Sequence, residues 1–299
     1  MDLVRRFFYL TAVIVAGIGL AAGQAHEHGS HGTEAAMKSQ TIPQDPSLPA
    51  SEENAREALN SSPRHGEWAD VPVWGTNEKL RTWVVYPERK DKAPVVILIC
   101  EIYGLSDWIR AVADRLAADG FIAVAPDMVW GKGPGGSGTE SATSRDQVVG
   151  WIRGLTNDEV LTRLNAARSY GISLPAANGK SATIGFCWGG SQSFTYACVQ
   201  PGLNAAVVYY GSSPDSSRLA QIKATPVLGL YGADDARVNA TIEPAQRMMK
   251  QAEKTYEVEI FEGAGHGFLR AQAGREGANH KATQKAWPRT IEFLRKHTR

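Results

Sequence analysis

Two rhythms of apolar and polar positions run along the chain, and together they predict a sheet interleaved with helices. Val95-Val96-Ile97-Leu98-Ile99-Cys100 is a continuous apolar run, the mark of a strand buried on both faces of a parallel sheet. Residues 80–86 read as an earlier strand ended by Pro87, and residues 121–125 as a later one ended by Pro126. Further strands are expected over 205–210, 226–231 and 256–261, and a β-prone run beginning near Ser181 stops at Gly185. Between these runs the period changes to that of a helix. Residues 107–119 carry Ile109, Val112 and Leu116 on one face and stop at Gly120. Residues 144–170 are helical with a break near Gly154, and helices are expected over 242–254 and 283–297. Strands alternating with helices predict the α/β class, a mainly parallel central sheet flanked by helices on both faces. Active residues then belong on loops at the carboxyl ends of the strands.

The N-terminal pattern is different. Arg5 and Arg6 precede an apolar run over 7–20 and then Ala21-Ala22-Gly23-Gln24-Ala25, which predicts a signal peptide over 1–25. The run is too short for a comfortable membrane span. Arg5-Arg6-Phe7-Phe8 loosely fits a twin-arginine signal. The expected destination is the periplasm or the exterior, with no membrane contact after cleavage. Residues 26–64 hold His26, His28, His31 and few large apolar groups, so they are expected to be a polar flexible leader with a short helix near 51–59. Residues 65–299 are left as the folded domain. No metal or other cofactor is expected, the histidine tract being read as part of a disordered tail.

Composition narrows the partners. The formal charge is +1, and loss of residues 1–25 takes it to zero; no Lys/Arg run is present. Neither nucleic acid nor an anionic membrane is therefore an expected partner, and a monomer acting on a small molecule is the simplest reading. The three cysteines are Cys100, Cys187 and Cys198, an odd number in a chain bound for an oxidising compartment. Cys187 and Cys198 would stand about 16 Å apart along a helix, beyond disulfide reach. Cys100 and Cys198 read as core residues and Cys187 as a free thiol.

The candidate chemistry centres on Gly185-Phe186-Cys187-Trp188-Gly189-Gly190. This is the glycine-flanked turn from strand to helix that presents a nucleophile, with cysteine in the usual place of serine. A helix beginning after it would direct its N-terminus at the sulfur and favour developing negative charge. A cysteine nucleophile needs a base and a group to orient that base. Of the histidines in the domain, His266 alone comes directly after a predicted strand, between Gly265 and Gly267. Asp234 or Asp235, after the strand at 226–231, could be the orienting acid. The loop Glu101-Ile102-Tyr103-Gly104 comes after the most apolar strand, so the N–H groups of Ile102 and Trp188 are the candidate oxyanion donors. Glu101, directly after an apolar run, is a candidate functional carboxylate. The glycine-rich stretch 131–138 lacks the Gly-Lys-Ser/Thr ending of a phosphate loop.

From Val95 to about Leu294 these motifs resemble the dienelactone hydrolase (carboxymethylenebutenolidase) family, a cysteine branch of the α/β-hydrolases. The motifs that carry the resemblance are Glu101-Ile102-Tyr103-Gly104, Pro126-Asp127, the Cys187 elbow, Gly232-x-x-Asp235 and Gly265-His266-Gly267-Phe268. The spacing of Cys187, Asp235 and His266 matches the family and selects Asp235 over Asp234. The resemblance implies the α/β-hydrolase fold, a Cys187–His266–Asp235 triad, and a Glu101 that keeps the resting thiol neutral and later accepts its proton. It also implies that Arg145, Arg270 and Tyr103 contact a carboxylate-bearing ester or lactone, a role that suits the planar guanidinium fork. Trp188 is bulkier than the aliphatic residue common in the family, which bears on pocket shape. A broad carboxylesterase or thioesterase of the same fold, and a non-catalytic periplasmic binding protein, are the rival readings.

Overall fold

The computed structural model describes residues 45–299; the expected signal peptide and the histidine tract lie outside the described residues. Eight strands, β1 (Gly66–Pro72), β2 (Lys79–Val85), β3 (Ala93–Ile99), β4 (Ile122–Pro126), β5 (Ala177–Phe186), β6 (Ala205–Tyr209), β7 (Val227–Asp234) and β8 (Tyr256–Gly265), form one sheet in the order β1-β2-β4-β3-β5-β6-β7-β8. The first two ladders are antiparallel and the remaining five are parallel. The helices are α1 (Ala55–Asn60), α2 (Asp107–Ala118), α3 (Arg145–Arg153), α4 (Asn157–Ser173), α5 (Trp188–Val199), α6 (Ser216–Leu219), α7 (Ala236–Asn239), α8 (Ile242–Gln251) and α9 (Ala278–Thr298). From β3 the chain crosses outward to β4 and then back to β5. The carboxyl ends of β3 and β5 therefore border the point where strand order reverses, the usual crevice of an open α/β sheet.

Local chemistry explains the boundaries. Ser106 caps α2 by accepting from the Ile109 N–H, with Asp107 in the first turn and Arg115 in the last, each favourable to the helix dipole. The break expected near Gly154 separates α3 from α4, and a capping box of Thr156 and Glu159 restarts the helix. The apolar runs behave as their patterns require: Val95 through Cys100 and Ile122 through Ala125 are fully buried. One strand, β1, has no counterpart in the pattern. It lies at the sheet edge with Val71 as its one buried residue, so it carries no apolar alternation to read.

The leader reading needs correction. Residues 48–55 are anchored in the domain by buried Leu48, Ala50 and Ala55, whereas Pro46 and Ser47 are exposed. Leu48, at 6% exposure, joins Ala50 and Ala55 in the main core. The Ala50 carbonyl accepts from Trp108 Nε1 at 3.1 Å and the Pro49 carbonyl from Gln272 Nε2 at 2.8 Å. Arg64 grips Asp114 with two nitrogens, at 3.0 and 2.6 Å. Composition misled here because the anchors are small residues and backbone carbonyls, which leave no hydrophobic signature. Leu48→Asp buries an unpaired carboxylate and should release this segment, speeding tryptic cleavage after exposed Arg56 about tenfold or more while the urea midpoint of the sheet stays near its original value. Cleavage at the wild-type rate would refute the docking.

Candidate active site

The elbow is built by steric necessity. β5 ends at Phe186, Cys187 turns with φ 55° and ψ −115°, and α5 begins at Trp188. A Cβ on Gly185 would stand 1.9 Å from the Gly189 carbonyl oxygen, and one on Gly189 would stand 2.2 Å from that of Ile99. Only glycine lets helix and strands approach so closely. Cys187 itself is a non-glycine residue at positive φ, a conformation that costs roughly 1–3 kcal/mol and persists because its surroundings enforce it. Its N–H donates to the Tyr209 carbonyl at 3.0 Å, and its carbonyl accepts from the Ser191 N–H at 3.2 Å.

Strand register chooses the neighbours of the thiol. Ile99 pairs with Gly185 across the β3–β5 ladder, so Glu101, two residues on, comes level with Cys187. Phe186 pairs with Tyr209 across the β5–β6 ladder, which sets Tyr210 on the other side. Tyr210 is buried, has φ 40°, and meets the His266 ring edge-on at 5.1 Å between centroids. Sequence reasoning missed it; its place at the carboxyl end of a predicted strand was the available signal. In the β7–β8 ladder, Gly232 pairs with Phe261 and Asp234 with Gly265, so β8 bulges by two residues between these pairs. The bulge brings His266 to Asp235, with Nδ1 2.5 Å from Oδ2. Asp235 is 8% exposed, whereas Asp234 points outward to Arg275 at 2.8 Å. The structure thus pairs the histidine with the aspartate that the family spacing selects. Engaging Nδ1 leaves Nε2 of His266 as the ring nitrogen free for proton transfer, on a side chain 34% exposed.

Charge around the sulfur favours the neutral thiol. Burial first, and the Glu101 carboxylate second, push the Cys187 thiol up to about 11. The Trp188 N–H first, and then the charges of Arg237 and Arg270, oppose them. Glu101 is 3% exposed, and burial raises its carboxyl above the usual range against the pull of Arg270, whose Nε lies 2.7 Å from Oε2. The other oxygen, Oε1, and the Tyr210 hydroxyl are both buried without a hydrogen bond, though close enough to influence each other's ionisation. Cys100 and Cys198 are buried core residues; burial raises both thiols, that of Cys198 to about 12.

The candidate oxyanion loop is held from below. Gly104, at φ 70°, closes the turn by donating its N–H to the Glu101 carbonyl at 3.2 Å. The Leu105 N–H donates to Thr139 Oγ1 at 3.0 Å, and Thr139 gives both its N–H and its hydroxyl to buried Asp127, each at 2.7 Å. Asp127 is therefore a positioning residue, its carboxylate fastening the glycine-rich stretch to the loop. Among the described residues, the N–H of Ile102 donates to no protein acceptor, and that of Trp188 is directed at the Cys187 sulfur.

Arg145 and Arg270 are brought together at Tyr103, with guanidinium carbons 5.0 and 5.3 Å from its ring centroid. What they hold is a carboxylate of this chain. Arg145 Nη2 pairs with Glu52 Oε1, and Arg270 Nη1 pairs with Glu52 Oε2 at 2.5 Å. Burial alone would lower the Arg270 pKa, but Glu101 and Glu52 outweigh it and raise the pKa overall. Glu52 lies in the stretch read from composition as solvated leader, so sequence reasoning missed it. No group of three His, Cys, Asp or Glu side chains suited to a metal occurs among the described residues.

Comparison with known proteins agrees with the motifs. Residues 80–298 match the model of the dienelactone hydrolase family. A carboxymethylenebutenolidase of Pseudomonas sp. (strain P51) is 28% identical over 209 residues, covering 69% of this chain and 86% of that protein. A Yersinia pestis protein provisionally named a carboxymethylenebutenolidase is 27% identical over 251 residues, covering 80% of this chain and 92% of its own. The crystal structure of a provisionally named dienelactone hydrolase from Klebsiella pneumoniae superposes with a TM-score of 0.67 at 26% identity, covering 78% of this chain and 98% of that one.

The electrostatics give a direct test. Glu101→Gln removes a charge that holds the Cys187 thiol up, so the thiol titrates lower and more of it is thiolate at pH 8. Iodoacetamide should then alkylate Cys187 roughly three- to tenfold faster, the thiolate being the reactive form. A rate equal to or below that of the parent protein would show that Glu101 does not control the thiol.

Proposed function

The chain belongs to the dienelactone hydrolase family, and from that membership and the geometry of the site we propose that it hydrolyses a small ester or lactone through Cys187, His266 and Asp235. The observation that carries this reading is the buried Asp235 bound to His266 Nδ1, with the His266 ring against Tyr210, just past the strand that pairs with the one leading into the strained cysteine elbow. His266 Nε2 takes the Cys187 proton as the sulfur attacks the substrate carbonyl, and the imidazolium is stabilised by Asp235. The new oxyanion meets the N–H groups of Ile102 and Trp188, each such donor contributing roughly 3 kcal/mol in related acyl transfers. Collapse breaks the C–O bond, and the departing alkoxide takes the proton from His266, leaving a thioester on Cys187. A water then gives its proton to His266 Nε2 and adds to the thioester. The second tetrahedral species expels the sulfur, which regains the proton from His266 while the acid is released.

Glu101 sets the resting state in this scheme. Its charge disfavours the thiolate in the resting protein, and its Oε1 is buried with no hydrogen-bond partner among the described residues. A thiol kept neutral is also a poor target for oxidants, which suits the periplasmic or secreted location that we assign on the strength of the Arg5-Arg6 segment. Between a carboxylate-bearing substrate and the broader carboxylesterase reading, the engagement of both arginines by Glu52 favours the second.

Cys187→Ala and His266→Ala should each lower kcat for 4-nitrophenyl acetate or an enol lactone by about 10³-fold or more, since members of such a unit act together. Turnover within twofold of the parent for either variant would overturn the triad.

A further inference from the structure

We propose that Glu52 is a built-in occupant of the anion site beside the active cysteine, and that it biases the enzyme toward uncharged acyl groups. The inference rests on the reading of Cys187 as the nucleophile, which defines the side of the molecule where an acyl group sits.

The charges at this point close on themselves. Two guanidiniums, Arg145 and Arg270, face two carboxylates, Glu52 and Glu101. Arg270 is divided between them, Nε on Glu101 and Nη1 on Glu52. Glu52 is placed to do this by its backbone as well as its charge. Its N–H donates to the Arg270 carbonyl at 3.0 Å, a contact that aligns the two residues side by side. On its N-terminal side Leu48 and Ala50 are buried, and on its C-terminal side Ala55 is buried. The carboxylate is thus tethered in the fork between two arginines, 26% exposed, by a segment that does not have to order itself anew in each encounter.

A carboxylate on the substrate would face one of two costs at this fork. It could sit beside Glu52, where like charge opposes it, or it could displace Glu52 and compete with a tethered group at high effective concentration. An uncharged acyl chain faces neither cost. It can lie against the Tyr103 ring and its two flanking guanidiniums without disturbing the ion pairs. Glu53 provides the internal comparison, being exposed and making none of the ion pairs among the described residues.

The test uses two esters of equal length, 4-nitrophenyl pentanoate and the 4-nitrophenyl half ester of glutaric acid. The full mature chain should prefer the uncharged ester. In Glu52→Gln the ratio of kcat/KM should move toward the anionic ester by at least about tenfold, carried mainly by KM, with Glu52→Asp in between and Glu53→Gln near the parent. Binding of glutarate, measured by calorimetry in a Cys187→Ala background, should tighten by a similar factor when Glu52→Gln is added. Unchanged glutarate affinity together with an unchanged ester ratio would overturn the proposal while leaving the triad intact. Tighter glutarate binding in a protein that hydrolyses neither ester would support the role of Glu52 and refute the hydrolase reading instead. An equal shift in Glu53→Gln would reduce the effect to general charge and overturn the specific role.

Discussion

The site depends on the parallel register of three central strands. β3, β5 and β6 are bonded so that Ile99 meets Gly185 and Phe186 meets Tyr209. Side chains just past the ends of these strands have no freedom to choose their neighbours. Glu101, Cys187 and Tyr210 stand abreast because the hydrogen-bonded ladders fix which strand ends lie level with one another. The apolar runs that make the sheet stable are thus the same runs that set the spacing of the chemistry. The elbow adds a second constraint. Gly185 and Gly189 allow a helix to start within van der Waals distance of two strand ends, which exposes one sulfur at a helix N-terminus.

Burial and charge around that sulfur pull in opposing directions, and the balance defines the resting protein. The N-terminus of α5 and the Trp188 N–H favour a thiolate; desolvation and the Glu101 carboxylate disfavour it and win. A buried glutamate calls for a cationic partner, and Arg270 supplies one. Here the arginine is itself shared with a carboxylate from the N-terminal segment. Charge compensation beside the cysteine is therefore a four-member arrangement spanning residues 52 to 270, not a single pair. The arrangement is most sensitive at Glu101 and Arg270, whose side chains are 4% and 19% exposed, because losing either leaves the other desolvated with an unbalanced charge, whereas Arg145 is 63% exposed.

The supporting contacts obey the same economy of position. Asp127 touches none of the candidate reacting atoms, yet its two oxygens hold Thr139, and Thr139 holds the loop that carries the Ile102 N–H. A buried carboxylate spent on backbone and hydroxyl donors is costly in isolation and effective as a fastener, since every lone pair it uses fixes a loop.

Much of this was legible along the chain, and the legible part has a common character. Strands buried on both faces announce themselves by continuous apolar runs, and a nucleophile elbow by glycines whose spacing is sterically forced. Cys187, Asp235, His266, Glu101 and the two candidate oxyanion amides all lie just past the ends of strands that the apolar pattern predicts. Tertiary structure decided the features that depend on pairing at a distance. The β8 bulge that aims His266 at Asp235, the edge strand β1 with its exposed faces, and Tyr210 beside the thiol are products of register, which no local pattern encodes. Glu52 is the clearest case. In sequence it is one acidic residue in a polar stretch, indistinguishable from Glu53. It becomes a partner of Arg145 and Arg270 only because Leu48, Ala50 and Ala55 pack into the core on either side of it, and small apolar anchors of that kind leave too little hydrophobic signal to be read before the chain is folded.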